Sequence, residues 1–210
     1  MNISRCQKIF TILNKEYPEV KTALSYKNPW QLLVAVILSA QCTDKRVNIV
    51  TGELFKKYPK LEDYARAREV VFEKDIYSTG FYKNKAKNII MSAKKVIKDY
   101  NAKVPDTMQE LLTLPGVARK TANVLLYEAF EKNEGLAVDT HVKRLSQRLG
   151  LSQSHKPDII EKDLMKALPK DKWGKFSHLL IFHGRNICFA RKPKCRQCSL
   201  KKVCLYPDKT

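Results

Sequence analysis

Acidic residues are scarce in this chain of 210 residues: Asp and Glu number 21 against 40 Lys and Arg, a formal net charge of +19. That balance turns attention from cationic partners to polyanions, with nucleic acid first and an anionic membrane surface second. The plain alternative is a set of solvated lysine faces. Long apolar runs are also missing. The longest, WQLLVAVILSA from Trp30 to Ala40, falls far short of the roughly 20 residues that span a bilayer. The opening stretch MNISRCQKIFTILNKEYPEV has charges spread through it and no apolar signal core. A cytosolic chain with no membrane segment is the expectation. Strand-like alternation is nearly absent, no repeat or low-complexity stretch occurs, and glycine is rare at 7 residues. Gly52, Gly80, Gly135 and Gly150 are expected between helices.

Helical spacing fills the space these absences leave. Asn28 and Pro29 read as an N-cap and a first-turn proline opening the run from Trp30, which is apolar nearly all round and so predicts a buried central helix. Ala86, Ile89, Ile90, Ala93, Val96 and Ile97 form one stripe on a helix whose other face is lysine. Asp106 with Gln109 reads as a capping box. Pro157 opens a helix with Ile160, Leu164, Ala167 and Leu168 on one face, and Trp173, Phe176, Leu180 and His183 share another face. The expected fold class is all-α, with about ten short helices.

LLTLPGVARKTANVLLYEAF joins two helices through Leu114-Pro115-Gly116-Val117-Ala118. Proline stops the first helix, and Gly116 can turn with positive φ. The N-terminus of the second helix then offers unpaired N–H groups and a positive dipole end to an anion such as a DNA phosphate. An ordinary helical hairpin needs the same residues. Lys120 falls in the first turn, where a cation opposes the dipole. It is either a solvated surface residue or an amine kept partly neutral for nucleophilic attack. Neutralising a lysine near pH 7.4 costs about 4 kcal/mol, given a reference pKa of about 10.4. The dipole supplies only about 0.3–1 kcal/mol, so desolvation by a bound substrate must supply most of the rest. In GLAVDTHVKRL, Asp139 is a natural N-cap for a helix starting near Thr140. It could also be a fixed carboxylate opposite Lys120, accepting a proton and stabilising positive charge on a sugar.

Residues 188–204, CFARKPKCRQCSLKKVC, hold four of the six cysteines and no acid. The spacing C-x6-C-x2-C-x5-C at Cys188, Cys195, Cys198 and Cys204 suits zinc or an iron–sulfur cluster. Zinc usually takes two short knuckles, and only one is present. Arg191, Lys192, Lys194, Arg196, Lys201 and Lys202 either face a phosphate backbone or offset a negatively charged cluster. Cys6 and Cys42 read as plain buried thiols.

LPGVARKTAN, VDTHVKRL, HGRNICFARKPKC and LSAQCTD together resemble the endonuclease III family of helix-hairpin-helix DNA glycosylases, in the expected order and over nearly the whole chain. The resemblance implies a bifunctional DNA glycosylase and abasic-site lyase of base excision repair, acting on oxidised pyrimidines in duplex DNA, with Lys120 as nucleophile and Asp139 as catalytic aspartate. It implies a [4Fe–4S] cluster on the four cysteines of the 188–204 loop. Gln41 matches a residue that fills the gap left by an extruded base, and Phe81 matches the loop that wedges into the duplex. Backbone carbonyls of Leu112, Leu114 and Val117 match the holders of a monovalent cation. Further DNA contacts are implied at Gly116, Ala118, Arg119, His141, Arg144, Arg191, Lys192 and Lys194. The family commonly reads LPGVG, and this chain has Ala118. If that position needs positive φ, alanine costs on the order of 1 kcal/mol.

The implied architecture is two helical lobes, a six-helix lobe over 22–132 carrying the hairpin and a discontinuous cluster lobe of 1–21 with 133–210, with DNA in the groove between them. A monomer bound to damaged double-stranded DNA is expected, and no membrane. The rivals are a non-catalytic iron–sulfur DNA-binding module and a monofunctional glycosylase that lacks the lyase step.

Overall fold

The computed structural model describes residues 3–207. They form helices joined by turns, with no strand among the described residues. Residues 23–132 make one compact unit, and the described residues up to 22 and from 133 onward make a second. No helix is long and apolar enough to cross a membrane.

The 23–132 unit holds α2 (Pro29–Ser39), α3 (Asp44–Lys57), α4 (Leu61–Arg66), α5 (Glu69–Ile76), α6 (Tyr82–Asp99), α7 (Met108–Leu111) and α8 (Arg119–Phe130). The other holds α1 (Ile3–Glu16), α9 (Thr140–Arg148), α10 (Pro157–Ala167) and α11 (Trp173–Asn186). α2 starts as the sequence predicts: Asn28 Oδ1 accepts from the Gln31 N–H at 2.9 Å, and Pro29 occupies the first turn. Leu32, Leu33, Val34, Ala35 and Leu38 are fully buried, because α3, α6 and α8 all pack around α2. Truncating any of these leucines to alanine costs about 2–5 kcal/mol. Trp30, Tyr58, Tyr64 and Phe72 meet edge-on or tilted beside that core, with Trp30 and Tyr64 rings 5.3 Å apart.

In the second unit α1 packs on α10 and α11, and α9 packs on α11. Ile9, Leu13, Val142, Leu145, Ile160, Leu164, Phe176 and Leu180 fill its core. Pro157 opens α10, and the predicted apolar faces of α10 and α11 are the buried ones, with Trp173 half-buried.

Three expectations need correction. The cap of α7 is Thr107 rather than Asp106: Thr107 Oγ1 accepts from the Glu110 N–H at 3.3 Å and donates to the Glu110 carboxylate at 2.7 Å. Glu110 stands three residues after Thr107, the spacing a capping box requires, and Asp106 is drawn off to Lys132 at 2.6 Å. Gly52 lies inside α3 rather than between helices. The lysine face of α6 has one exception, Lys85, which is buried.

Candidate active site and thiol loop

The hairpin sits in the 23–132 unit. Its turn follows from Gly116, whose φ of +79° is left-handed and whose absent Cβ would stand 2.9 Å from the Asn88 side chain. The Val117 N–H closes the turn on the Leu114 carbonyl at 3.1 Å. Leu114 and Val117 are buried, Leu112 is exposed, and all three lie between the bodies of α7 and α8. Ala118 is the N-cap of α8 with φ −93° and ψ 169°, ordinary extended backbone. The anticipated cost of alanine there is therefore not incurred. Ala118 has no side-chain oxygen to cap with, and no acid stands in the first turn. The Arg119 and Lys120 side chains are exposed. Gln41 and Phe81, the expected base-stack residues, are both exposed and both left-handed, with φ of 54° and 49°.

The second unit holds Asp139. It caps α9 as the sequence predicts: Oδ1 accepts from the N–H groups of His141 and Val142, each at 2.8 Å. The residues leading to it are fixed in turn. Ser177 donates to the Ala137 carbonyl at 2.7 Å, and buried Glu161 accepts from the Leu136 N–H at 3.2 Å. The carboxylate is thus held, half-buried, at the tip of a rigid segment. His141 is half-buried, and burial pulls its pKa down, so the ring favours its neutral form.

Cys188, Cys195, Cys198 and Cys204 line one cavity beneath α9 and α11, and none forms a disulfide. Arg148 Nη1 donates to Cys188 Sγ at 3.3 Å, and the Tyr206 N–H donates to Cys204 Sγ at 3.4 Å. His183 Nε2 lies 3.3 Å from Cys198 Sγ, and its Nδ1 lies 3.1 Å from the Tyr17 hydroxyl. Burial lowers the His183 pKa to about 4 and raises that of Cys198 to about 11. Among the described residues no group of three His, Cys, Asp or Glu side chains is placed to hold a metal ion. Arg191, Lys192, Lys194, Arg196, Lys201 and Lys202 all point to solvent from this loop. Of the remaining thiols, Cys6 is buried and its pKa is pushed up to about 12 by that burial, whereas Cys42 is only half-buried, contrary to expectation.

Arg144 is placed differently from the solvent-facing lysines. Its guanidinium donates to the carbonyls of Gly184 and Cys188, both at 2.9 Å from Nη2, and Nη2 also lies 3.1 Å from His141 Nδ1. Arg148, which sequence reasoning did not single out, continues the pattern with bonds to the Phe189 and Ala190 carbonyls. The signal that could have found it is spacing: Arg144 and Arg148 are one turn apart on α9 and so share a face.

Residues 34–170 match the HhH-GPD superfamily of base excision DNA repair proteins. The endonuclease III of Synechocystis sp. is 53% identical, over 95% of this chain and 91% of that protein. The endonuclease III of Escherichia coli K12 is 38% identical, over 100% of this chain and 99% of that protein. Among solved structures, a trapped endonuclease III–DNA covalent intermediate matches with a TM-score of 0.91 at 42% identity, covering 97% of this chain and 96% of the other. A non-covalent endonuclease III–DNA complex gives 0.93 at 42% identity, covering 97% and 95%. With a helix-hairpin-helix ending in an exposed lysine, a pinned aspartate and a four-cysteine loop, all within full-length similarity, this chain belongs to the endonuclease III family of the HhH-GPD superfamily.

Proposed function

We propose that this chain is a bifunctional DNA glycosylase and abasic-site lyase of base excision repair, removing oxidised pyrimidines from duplex DNA. One observation carries the reading: Lys120 stands exposed in the first turn of α8, directly after the left-handed turn at Gly116, where helices ordinarily place an acid. The uncapped end of α8 receives a DNA phosphate through its backbone N–H groups. Leu112, Leu114 and Val117 offer their carbonyls to a monovalent cation that would sit against that phosphate.

Extrusion of the damaged nucleotide brings its sugar to Lys120 and strips water from the amine, which favours the neutral form. Nζ attacks C1′, the bond from C1′ to the base breaks, and the base leaves with a proton. The sugar ring then opens as O4′ leaves C1′ and takes up a proton from solvent, the attacking amine having given one of its own to the departing base, which gives a protonated Schiff base between Nζ and C1′. That cation acidifies C2′–H. Removal of the C2′ proton expels the 3′ phosphate from C3′ and cuts the strand 3′ to the lesion, and water then hydrolyses the imine and frees Lys120. Asp139 accepts protons and stabilises positive charge on the sugar, roles that suit a carboxylate whose orientation is fixed by two backbone donors.

The four cysteines fit a [4Fe–4S] cluster. Thiols ringing a cavity, with N–H donors reaching the sulfurs of Cys188 and Cys204, suit a cluster core. When bound, the cluster supplies a four-point clamp on the loop that presents Arg191, Lys192 and Lys194 to the DNA backbone. The place of action is the cytosol, and a monomer suffices because one chain carries every residue named.

The test is direct. Duplex DNA with an abasic site is incubated with the protein in the presence of borohydride. Strand cleavage and a covalent protein–DNA adduct are expected. Intact strands and no adduct would remove the lyase step and leave a monofunctional glycosylase or a non-catalytic DNA-binding module, which base release from lesion DNA then separates.

A further inference from the structure

Two exposed loop tips in the 23–132 unit share an uncommon backbone. Gln41 follows α2 with φ 54°, and Phe81 caps α6 with φ 49°. Left-handed backbone costs a non-glycine residue roughly 1–2 kcal/mol. Phe81 is also 64% exposed. An aromatic ring held in water on a strained turn does little for the fold and is suited to wedging between stacked bases. Gln41 presents an exposed amide with both donors and acceptors, the equipment to satisfy an orphaned base.

Lys85 ties these tips together. It is 4% exposed, and its ammonium donates to the carbonyls of Leu38 and Thr79, each at 2.8 Å. Leu38 lies in the last turn of α2, three residues before Gln41, and Thr79 lies two residues before Phe81. A cation at the carbonyl end of α2 is favourable. Among the described residues no hydrogen bond or ion pair joins Lys85 to a carboxylate; the carbonyls of Leu38 and Thr79 hold its ammonium, and burial pulls its pKa below the usual lysine value against a smaller opposing effect of the Cys42 thiol. A buried cation without a counter-ion is an expensive way to join two turns. An apolar side chain would fill the space at less cost, but could not fix two carbonyls at a set separation.

We propose that Lys85 is a positioning residue for nucleotide extrusion: its buried ammonium fixes the spacing of the Gln41 and Phe81 tips, so that a duplex opening around a lesion meets wedge and filler together. This rests on the glycosylase reading. Lys85 touches neither sugar nor base.

The experiment separates positioning from general damage by varying the substrate. Lys85→Met keeps an unbranched side chain, one atom shorter, and removes its donors. Single-turnover base excision is measured on a fully paired lesion duplex and on the same lesion set in a short run of mismatches, which is already unstacked. A displaced tip is expected to lower the rate on paired DNA by about 10²-fold, while the rate on mismatched DNA stays within about threefold because little unstacking work remains. Equal losses on both substrates overturn the proposal, as does no loss on either. Should Lys85→Met fail to fold, Lys85→Gln carries the same test. Its neutral amide keeps two N–H donors on a shorter stem and so holds the two carbonyls less well, and a smaller loss confined to paired DNA is expected. The wild-type protein is run alongside: if it cleaves neither substrate, the glycosylase reading fails, whereas an active wild type with an unchanged paired-to-mismatched ratio in the variants fails this inference alone.

Discussion

α8 and α9 begin in the same way and end up with opposite chemistry. Each starts from an extended residue, Ala118 in one and Asp139 in the other, and neither has an acid within its first turn. At α9 the socket is filled from within, since Asp139 Oδ1 takes the N–H groups of both His141 and Val142. At α8 no side chain caps the end, and Lys120 stands exposed beside it. A helix N-terminus attracts an anion whichever source it comes from. Filling it with a carboxylate immobilises that carboxylate; leaving it open keeps a place for an anion from outside. One element thus gives a fixed carboxylate in one unit and an open helix end beside an exposed lysine in the other.

The sharpest break in this comparison is Lys120→Gln. It removes the amine and leaves the backbone donors of α8 alone. Borohydride adducts and strand cleavage should vanish while affinity for lesion DNA persists, measured by trapping gels beside binding titrations. An unchanged adduct yield in the folded variant would refute Lys120 as the nucleophile.

Asp139→Asn tests the filled socket with a smaller effect. Asparagine keeps an oxygen for the cap and loses the charge. Base release should slow by about 10²- to 10⁴-fold, with the melting temperature nearly unchanged. Trapping on a preformed abasic site should survive in part, because no glycosidic bond remains to be broken there. Asp139→Ala adds loss of the cap, a further cost of about 1 kcal/mol in stability. If Asn and Ala variants lose stability equally, the carboxylate is not acting as the cap.

The Asp139 cap and the first-turn position of Lys120 were legible in the sequence for a local reason. A cap and a first-turn lysine are set by residues within one helical turn, and VDTHVKRL and LPGVARKTAN carry that information in order. The α7 cap slipped by one residue because Asp106 and Thr107 both cap well, and what decides between them is Glu110 at the right spacing together with Lys132 claiming Asp106. Lys85 was not legible at all. It sits between Lys83 and Lys87, both exposed, and its partners include the Leu38 carbonyl, 47 residues away. Arg144 and Arg148 were hidden similarly: a basic helix in a basic protein suggests DNA, yet their donors reach carbonyls of α11 and of the thiol loop. Charge shows in a sequence, but whether it faces water or carbonyls is decided by long-range packing.

Charges that do face water should behave additively and weakly. Lys192 is exposed on the thiol loop. Lys192→Ala should weaken lesion and undamaged DNA alike and reduce the slope of log K against log salt by about 0.9, one phosphate contact. A loss confined to lesion DNA would mean that Lys192 reads the damage rather than the backbone.

The smallest effect gives the closest test of the comparison, because it converts the open socket into a filled one. Ala118→Ser puts a capping oxygen at the start of α8 without changing charge, and the extended backbone at this position, φ −93° and ψ 169°, is the conformation a capping serine adopts. The free protein should gain about 1 kcal/mol in stability. The same hydroxyl now occupies N–H groups that a phosphate needs, so binding must first displace it. By linkage the stabilisation of the free state is lost on binding, and affinity for undamaged DNA should fall by about fivefold, the equivalent of about 1 kcal/mol. Stability and affinity would then move in opposite directions by matching amounts, which thermal melts and titrations at one salt concentration can check. If Ala118→Ser stabilises the fold and leaves DNA affinity untouched, the phosphate does not use the end of α8, and the asymmetry between the two helices has no part in binding.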